Sequence, residues 1–90
     1  MIRRQLEIIL GEEFRFLAIK TRERLGLTQR EMSESLQMSE GNYSDIETGE
    51  VGCCSTLTAI LLLGMQDDPE GFINTVNSRF QNWYESEMAV

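Results

Sequence analysis

The chain has 90 residues, of which 41% are hydrophobic and 26% charged, with a formal net charge of -7 and no histidine. This length fits one domain with a modest core. We expect no signal peptide, and we expect no membrane span because no apolar run reaches about 18 residues. Without histidine or a glycine-rich phosphate loop we expect no enzyme, and the adjacent Cys53 and Cys54 cannot build a zinc site or a disulfide framework. We therefore expect no metal, no cofactor and a reducing, cytoplasmic location.

The charge is distributed unevenly along the chain. Residues 1–30 carry seven of the eight basic side chains and four acidic ones, a local balance of +3, whereas residues 31–90 carry one base and eleven acids, a balance of -10. A solvated acidic surface that favours solubility is one explanation. A bipolar molecule whose two ends attract different partners is the other.

The first predicted element is a lead-in segment, residues 1–10, followed by a helix from about residue 12 to residue 25. Gly11 separates the two, because glycine is unfavourable inside a helix by about 1 kcal/mol relative to alanine. Glu12 and Glu13 suit the positive end of the helix dipole, and arginines occupy the last turn.

Two short capped helices come next. Thr28, with Glu31 three residues later, predicts a capping box that opens a helix ending near Gln37. The residues that we expect this helix to bury are Met32, Ser35 and Leu36. Ser39 then caps a helix over residues 40–47. The buried face of that helix is predicted to contain Tyr43 and Ile46, spaced three apart. Two such helices joined by a tight turn make a helix-turn-helix.

Two further helices complete the prediction. Ser55 or Thr56 opens a fourth helix that ends at Gly64, with the apolar set Leu57, Ile60, Leu61 and Leu63. The acidic run before and after Pro69 predicts a fifth helix over about 69–84. The apolar set of that helix is Phe72, Ile73, Val76, Phe80, Trp83 and Tyr84. The chain is therefore predicted to be all-α.

The run from Arg22 to Met32, RERLGLTQREM, resembles the opening of the phage repressor and Cro-like helix-turn-helix family (the xenobiotic-response-element class), and the segments LQMS and YSDIETG continue the match. The resemblance covers about residues 11–64. It implies a compact five-helix, lambda-repressor-like DNA-binding domain, with a lead-in at 1–10 and a C-terminal helix within 65–90 as the expected dimerisation element. Departures from the family pattern are Gln37 in place of a turn glycine, Ser33 in place of a small alanine, and Cys53 in place of a loop proline.

The resemblance also implies a site. In this family the second helix of the motif, here 40–47, lies in the major groove of double-stranded DNA, and the first crosses the phosphate backbone. Arg22 and Glu47 occupy the positions of a structural ion pair that fixes the preceding helix on the motif. The residues implied to contact DNA are Thr28, Gln29, Arg30, Ser39, Glu40, Gly41, Asn42, Ser44, Asp45 and Thr48.

The charge of the motif leaves two functions open. Residues 31–52 contain no lysine or arginine and six acids, whereas phosphate neutralisation supplies most of the non-specific affinity for DNA. The first hypothesis is a sequence-specific DNA-binding transcriptional regulator that acts as a homodimer on a palindromic operator. The alternative is an acidic helix-turn-helix module, of an antitoxin or regulator-binding kind, that binds a basic protein partner and has little affinity for DNA.

Overall fold

The computed structural model describes residues 2–88, with side chains from residue 4 onward; Met1 of the lead-in and residues 89–90 of the C-terminal region lie outside the described residues. Within this range the chain forms five helices and no strand, which confirms the all-α prediction. The helices are α1 (Ile2–Leu25), α2 (Gln29–Ser35), α3 (Glu40–Thr48), α4 (Thr56–Met65) and α5 (Pro69–Met88).

The first helix is continuous through Gly11, so the prediction of a helix starting at residue 12 was wrong. Helix α1 has 24 residues, and Gly11 lies buried in its middle. A Cβ atom on Gly11 would lie 1.7 Å from the carbonyl oxygen of Gly52. The glycine therefore allows the α3–α4 loop to approach the helix backbone closely, and it does not end the helix. The division of the chain at residue 10 stays a prediction.

Glu12 and Glu13 consequently lie within α1 and not at its N-terminus. Both bind Arg79 of α5: Arg79 Nη2 lies 2.7 Å from Glu12 Oε1, and Arg79 Nη1 lies 2.7 Å from Glu13 Oε2. These contacts join α5 to α1, as does the packing of the Phe72 ring on the Phe14 ring, whose centroids are 5.2 Å apart.

Helix α1 lies at the centre of the fold and contacts α3, α4 and α5, while α2 packs on α3. The buried hydrophobic cluster draws on the first four helices and consists of Phe14, Leu17, Ala18, Met32, Leu36, Tyr43, Ile46 and Leu62. In α2 the buried serine is Ser33 and not Ser35, which is exposed. The Ser33 hydroxyl donates to the Arg30 carbonyl oxygen at 2.6 Å, which satisfies it inside the core.

Helix α4 packs with a face that overlaps the predicted one only at Leu61, which is half-buried against the core. Thr58 and Leu62 are its buried residues, whereas Leu57 and Ile60 are 56% and 59% exposed. Because residues 59–63 are all apolar, periodicity could not identify the inward face. The N-cap is Ser55, whose hydroxyl accepts from the Thr58 backbone N–H.

Helix α5 begins at Pro69, as predicted, and Asp68 accepts a hydrogen bond from the Gly71 N–H at 3.0 Å. It extends beyond residue 84 to Met88. Val76 is buried, but Ile73 and Tyr84 of the predicted apolar set are exposed. No helix in residues 2–88 has the combination of length and apolar character that a membrane crossing requires.

Candidate nucleic-acid interface

The predicted capping box at the start of α2 is confirmed. The Glu31 N–H donates to Thr28 Oγ1 at 3.1 Å, and the Thr28 N–H donates to Glu31 Oε1 at 3.0 Å. The hydrogen bond from the Thr28 backbone holds the pKa of Glu31 below its ordinary value. The reciprocal bonds fix the point at which α2 begins.

A short turn then sets the position of α3. Gln37 adopts a left-handed backbone conformation with φ 57°, where glycine is the favoured residue. Ser39 follows as the N-cap of α3, and its side chain accepts from the Asn42 N–H at 3.2 Å, as predicted. At the other end, Gly49 closes α3 in a left-handed conformation with φ 84°, which is common for glycine at helix C-termini.

A hydrogen-bonded network around Glu47 anchors α3 to α1 and α2. Glu47 Oε2 lies 2.6 Å from Arg22 Nε, and Glu47 Oε1 accepts from Arg22 Nη2 and from Gln29 Nε2, each at 3.1 Å. The Tyr43 hydroxyl, one turn earlier on α3, also donates to Glu47 Oε2. A charge-assisted, bidentate arrangement of this kind fixes both distance and orientation.

The network also shifts the pKa values of Glu47 and Tyr43. Although burial alone would raise the pKa of Glu47, hydrogen bonds from Arg22, Tyr43 and Gln29 outweigh it and hold that pKa below its ordinary value. Burial, with the hydrogen bond to Glu47, raises the pKa of Tyr43 far above its ordinary value. Glu47 is therefore an ionised acceptor and Tyr43 a neutral donor at neutral pH.

One further contact, absent from the sequence analysis, holds α3. Arg15 Nε of α1 donates to the Glu47 carbonyl oxygen at 2.8 Å, and the Arg15 guanidinium lies 5.4 Å from the centroid of the Phe16 ring. Such a side chain-to-backbone bond has no sequence signature, because any residue type supplies the carbonyl. The bond between Tyr43 and Glu47 did have one, since the two are spaced i, i+4 on a helix.

The face of α3 opposite Tyr43, Ile46 and Glu47 is open to solvent. Its exposed or partly exposed residues are Glu40, Gly41, Asn42, Ser44, Asp45 and Thr48. Of the residues implied to contact DNA, Gly41, Ser44, Asp45 and Thr48 thus share the outward side of α3, with Glu40 and Asn42 at its two edges and the exposed Ser39 at its start. Thr28 and Arg30 are exposed at the start of α2, whereas Gln29 is half-buried with its amide nitrogen bound to Glu47. The Gln29 amide keeps a second N–H for another acceptor.

The arginines nearest the motif all have partners within the chain. Arg22 binds Glu47, Arg30 Nε lies 3.5 Å from Glu34 Oε1, and Arg24 Nε lies 3.5 Å from an Asp67 oxygen. The last two pairs are exposed, so they are weak and exchange readily with water or another anion. The Arg22 pair is more enclosed and is committed to the fold.

The two cysteines are free thiols in the loop between α3 and α4. Cys53 is exposed, and burial of Cys54 raises its pKa to about 11. A raised pKa keeps the Cys54 thiol protonated and unreactive at neutral pH. Within residues 2–88 there is no group of three or more acidic or cysteine side chains placed to hold a metal ion.

A family model described as a helix-turn-helix domain matches residues 10–63. The match begins within α1 and ends in α4, so it includes the Glu47 network and the whole outward face of α3. Neither a curated protein nor a solved structure gave a significant match to the chain.

Proposed function

The chain belongs to the helix-turn-helix domain family, and from this premise we propose that it is a sequence-specific DNA-binding transcriptional regulator of the phage repressor/Cro-like class. In this proposal α3 enters the major groove of double-stranded DNA, and α2 lies across the backbone. The proposal includes no catalytic activity and assigns the protein to the cytoplasm.

The observation that carries the proposal is the two-sided character of α3. One side is fixed by Tyr43, Ile46 and the bonds of Glu47. The other side presents Gly41, Ser44 and Thr48 together with the carboxylates of Glu40 and Asp45, and the small residues allow a helix to approach base edges closely. A reading helix needs this combination, because base contacts specify a sequence only when the helix is held in a defined position.

Asn42 is the residue that we propose reads a base. It is exposed in the first turn of α3, at the edge of the groove between α3 and α4, and an asparagine amide pairs with the N6 and N7 atoms of adenine in the major groove. Ser44 and Thr48 add hydroxyls that bind a base or a phosphate. Thr28, Gln29 and Arg30 are assigned to the phosphate backbone, with Ser39 as a further contact.

A selection from random duplexes, followed by one pair of variants, tests the assignment of Asn42. Asn42→Ala should lose about 1–3 kcal/mol of affinity for the selected sequence and relax its preference at one base pair. Asn77→Ala, the same change at an exposed position of α5, should have no effect. Equal affinities for Asn42→Ala and the unaltered protein would remove Asn42 from the interface.

The alternative function, an acidic module that binds a basic protein, is favoured by a separate observation. Glu40 and Asp45 are exposed on α3, no cation occurs in residues 31–52, and the flanking arginines are already paired. Each carboxylate about 4 Å from a phosphate costs on the order of 1 kcal/mol in water. Against this, a single carboxylate in the groove is able to accept a hydrogen bond from cytosine N4.

Reversing the charge of α3 separates the two functions. The double change Glu40→Lys and Asp45→Lys should strengthen binding to mixed-sequence duplex whichever function is correct, but it abolishes binding of a polylysine peptide only for the acidic module. Glu85→Lys with Glu87→Lys, on α5, makes the same change in net charge and serves as the control. A polylysine affinity that falls equally in both double variants reflects net charge alone and counts against an acidic docking site on α3.

A further inference from the structure

The segment from residue 51 to residue 66 contains no charged side chain, in a chain of which 26% is charged. It includes all of α4. Thr58 and Leu62 face the core, but the opposite side of the helix, which we call the α4 outer face, consists of Leu57, Ile60, Leu63 and Gly64, all exposed. Helices that are apolar on every side are normally covered on every side. In the single chain the α4 outer face has no cover from the described residues.

A groove of about 310 Å³ continues from this face, lined by both apolar and uncharged polar residues. It lies between α3 and the N-terminal half of α4, and Leu57 belongs both to its lining and to the α4 outer face. Its other apolar lining residues include Leu36, Met38, Ile46 and Val51. Val51 is itself 41% exposed at the edge of the groove. The α4 outer face and the groove together form one uncharged surface, in which the face is a ridge and the groove is the depression beside it.

Gly64 is unexplained by the single chain. A Cβ atom at this position would meet nothing within 4 Å, and Gly64 is the penultimate residue of α4, with no left-handed backbone conformation. Neither space nor backbone conformation therefore requires glycine there, although glycine weakens a helix relative to alanine. A glycine in the open side of a helix allows another backbone to approach closely.

We propose that the α4 outer face binds the same face of a second copy of this chain, with the two α4 helices antiparallel about a two-fold axis. Each copy carries a net charge of -7, so two copies repel each other wherever acidic surfaces meet, and the uncharged segment is where they approach without that repulsion. A basic protein gains no Coulomb energy at α4 and is drawn to the acidic faces instead. A two-fold axis places the α4 outer face of each copy beside the groove of the other copy, because both copies use the same surface in the contact.

This pairing is argued without any DNA contact, although Asn42 also lines the groove beside the α4 outer face. It differs from the prediction that the C-terminal helix forms the dimer contact. Helix α5 uses Phe72 and Val76 for packing within the chain, and Arg79 for Glu12 and Glu13. Its exposed apolar residues, Ile73, Tyr84 and Met88, lie along one stripe of the helix, but α5 also exposes Glu70, Glu85 and Glu87. The α4 outer face lies in a segment without any charged residue.

Two isoleucine variants test the pairing by sedimentation velocity over a wide concentration range. Ile60→Glu should raise the dimer dissociation constant at least tenfold, on the order of what one buried, unpaired charge costs. Ile73→Glu, the same change at a comparably exposed position of α5 (49%, against 59% for Ile60), should leave it unaltered. Circular dichroism melts of the monomeric forms should be unchanged, since both side chains are exposed in the single chain.

A mixing experiment tests the two-fold axis. Ile60→Glu and Ile60→Lys should each be monomeric, and an equimolar mixture should dimerise, because residue 60 of one copy lies close to residue 60 of the other. An unaltered protein that stays monomeric at every concentration overturns the proposal, as does an Ile60→Glu variant that dimerises normally. A mixture that stays monomeric overturns the two-fold pairing, and a dimer that dissociates in Ile73→Glu alone assigns the contact to α5. Loss of DNA binding with the dimer intact contradicts only the proposed function.

Discussion

Replacing Glu47 by alanine removes the acceptor that holds α3 in place. The change leaves Arg22 without its carboxylate and leaves the Gln29 amide and the buried Tyr43 hydroxyl without the acceptor they share. Removing one partner of a buried ion pair typically costs about 3–5 kcal/mol, because the other charge remains in a desolvated position. Arg22 keeps some contact with water, since 22% of its side chain is exposed, so we expect a loss near the lower end, about 3 kcal/mol.

That loss is large relative to the stability of a small domain. A chain of this size is stable by roughly 5–15 kcal/mol, and each kcal/mol corresponds to about 4–8 °C in Tm. We therefore expect Glu47→Ala to lower Tm by roughly 12–24 °C, and urea denaturation followed by circular dichroism gives the free energy of unfolding directly.

Glu34→Ala is the matched control for this prediction. It also removes a glutamate paired with an arginine, but both partners of the Arg30–Glu34 pair are exposed, so its effect should stay within about 0.5 kcal/mol. If Glu47→Ala cost no more than Glu34→Ala, the account of Glu47 as the anchor of α3 would be refuted. An Arg22→Met, Glu47→Ala double variant less destabilised than the sum of the single changes would show that the two residues act as a unit.

The pH dependence of stability and two glycine substitutions give three further predictions. Because the folded-state pKa of Glu47 lies below its ordinary value, its contribution to stability is complete above that ordinary value and is lost as the pH falls through the folded-state pKa. Urea denaturation at several pH values should therefore show that the free energy of unfolding falls more steeply with decreasing pH in the unaltered protein than in Glu47→Gln. An equal decrease in both proteins would contradict the assignment. Gly11→Ala should destabilise the fold by about 1–3 kcal/mol, since its Cβ atom would overlap the Gly52 carbonyl oxygen, whereas Gly64→Ala should stabilise the monomer by up to about 1 kcal/mol. An α1 strengthened by Gly11→Ala in thermal melts would show that the loop does not contact it.

Local signals accounted for the motif. Thr28 with Glu31, and Ser39 before the next helix, are capping patterns that act over three residues, so the sequence alone located the starts of α2 and α3. The spacing of Tyr43 and Ile46 identified the buried side of α3, and both are in the core. The outward side followed from the same spacing.

Features that depend on tertiary contacts were missed. Gly11 was interpreted as a helix boundary because the helix propensity of glycine is poor. Its close neighbour Gly52 lies 41 positions away in the chain, so no local pattern in the sequence indicates their contact. Leu57 and Ile60 were assigned inward because α4 is apolar all round, and only packing on α1 determines which side faces the core. The bond from Arg15 to the Glu47 carbonyl oxygen was invisible for the same reason.

The most direct test of the central claim, that α3 presents a DNA-reading surface, is a titration of the unaltered protein with duplex DNA at several salt concentrations. The account predicts measurable binding near 50 mM salt, with the logarithm of affinity falling linearly as the logarithm of salt concentration rises, by about 0.9 per phosphate neutralised. Absence of binding near that salt concentration, or an affinity that does not depend on salt, would contradict it.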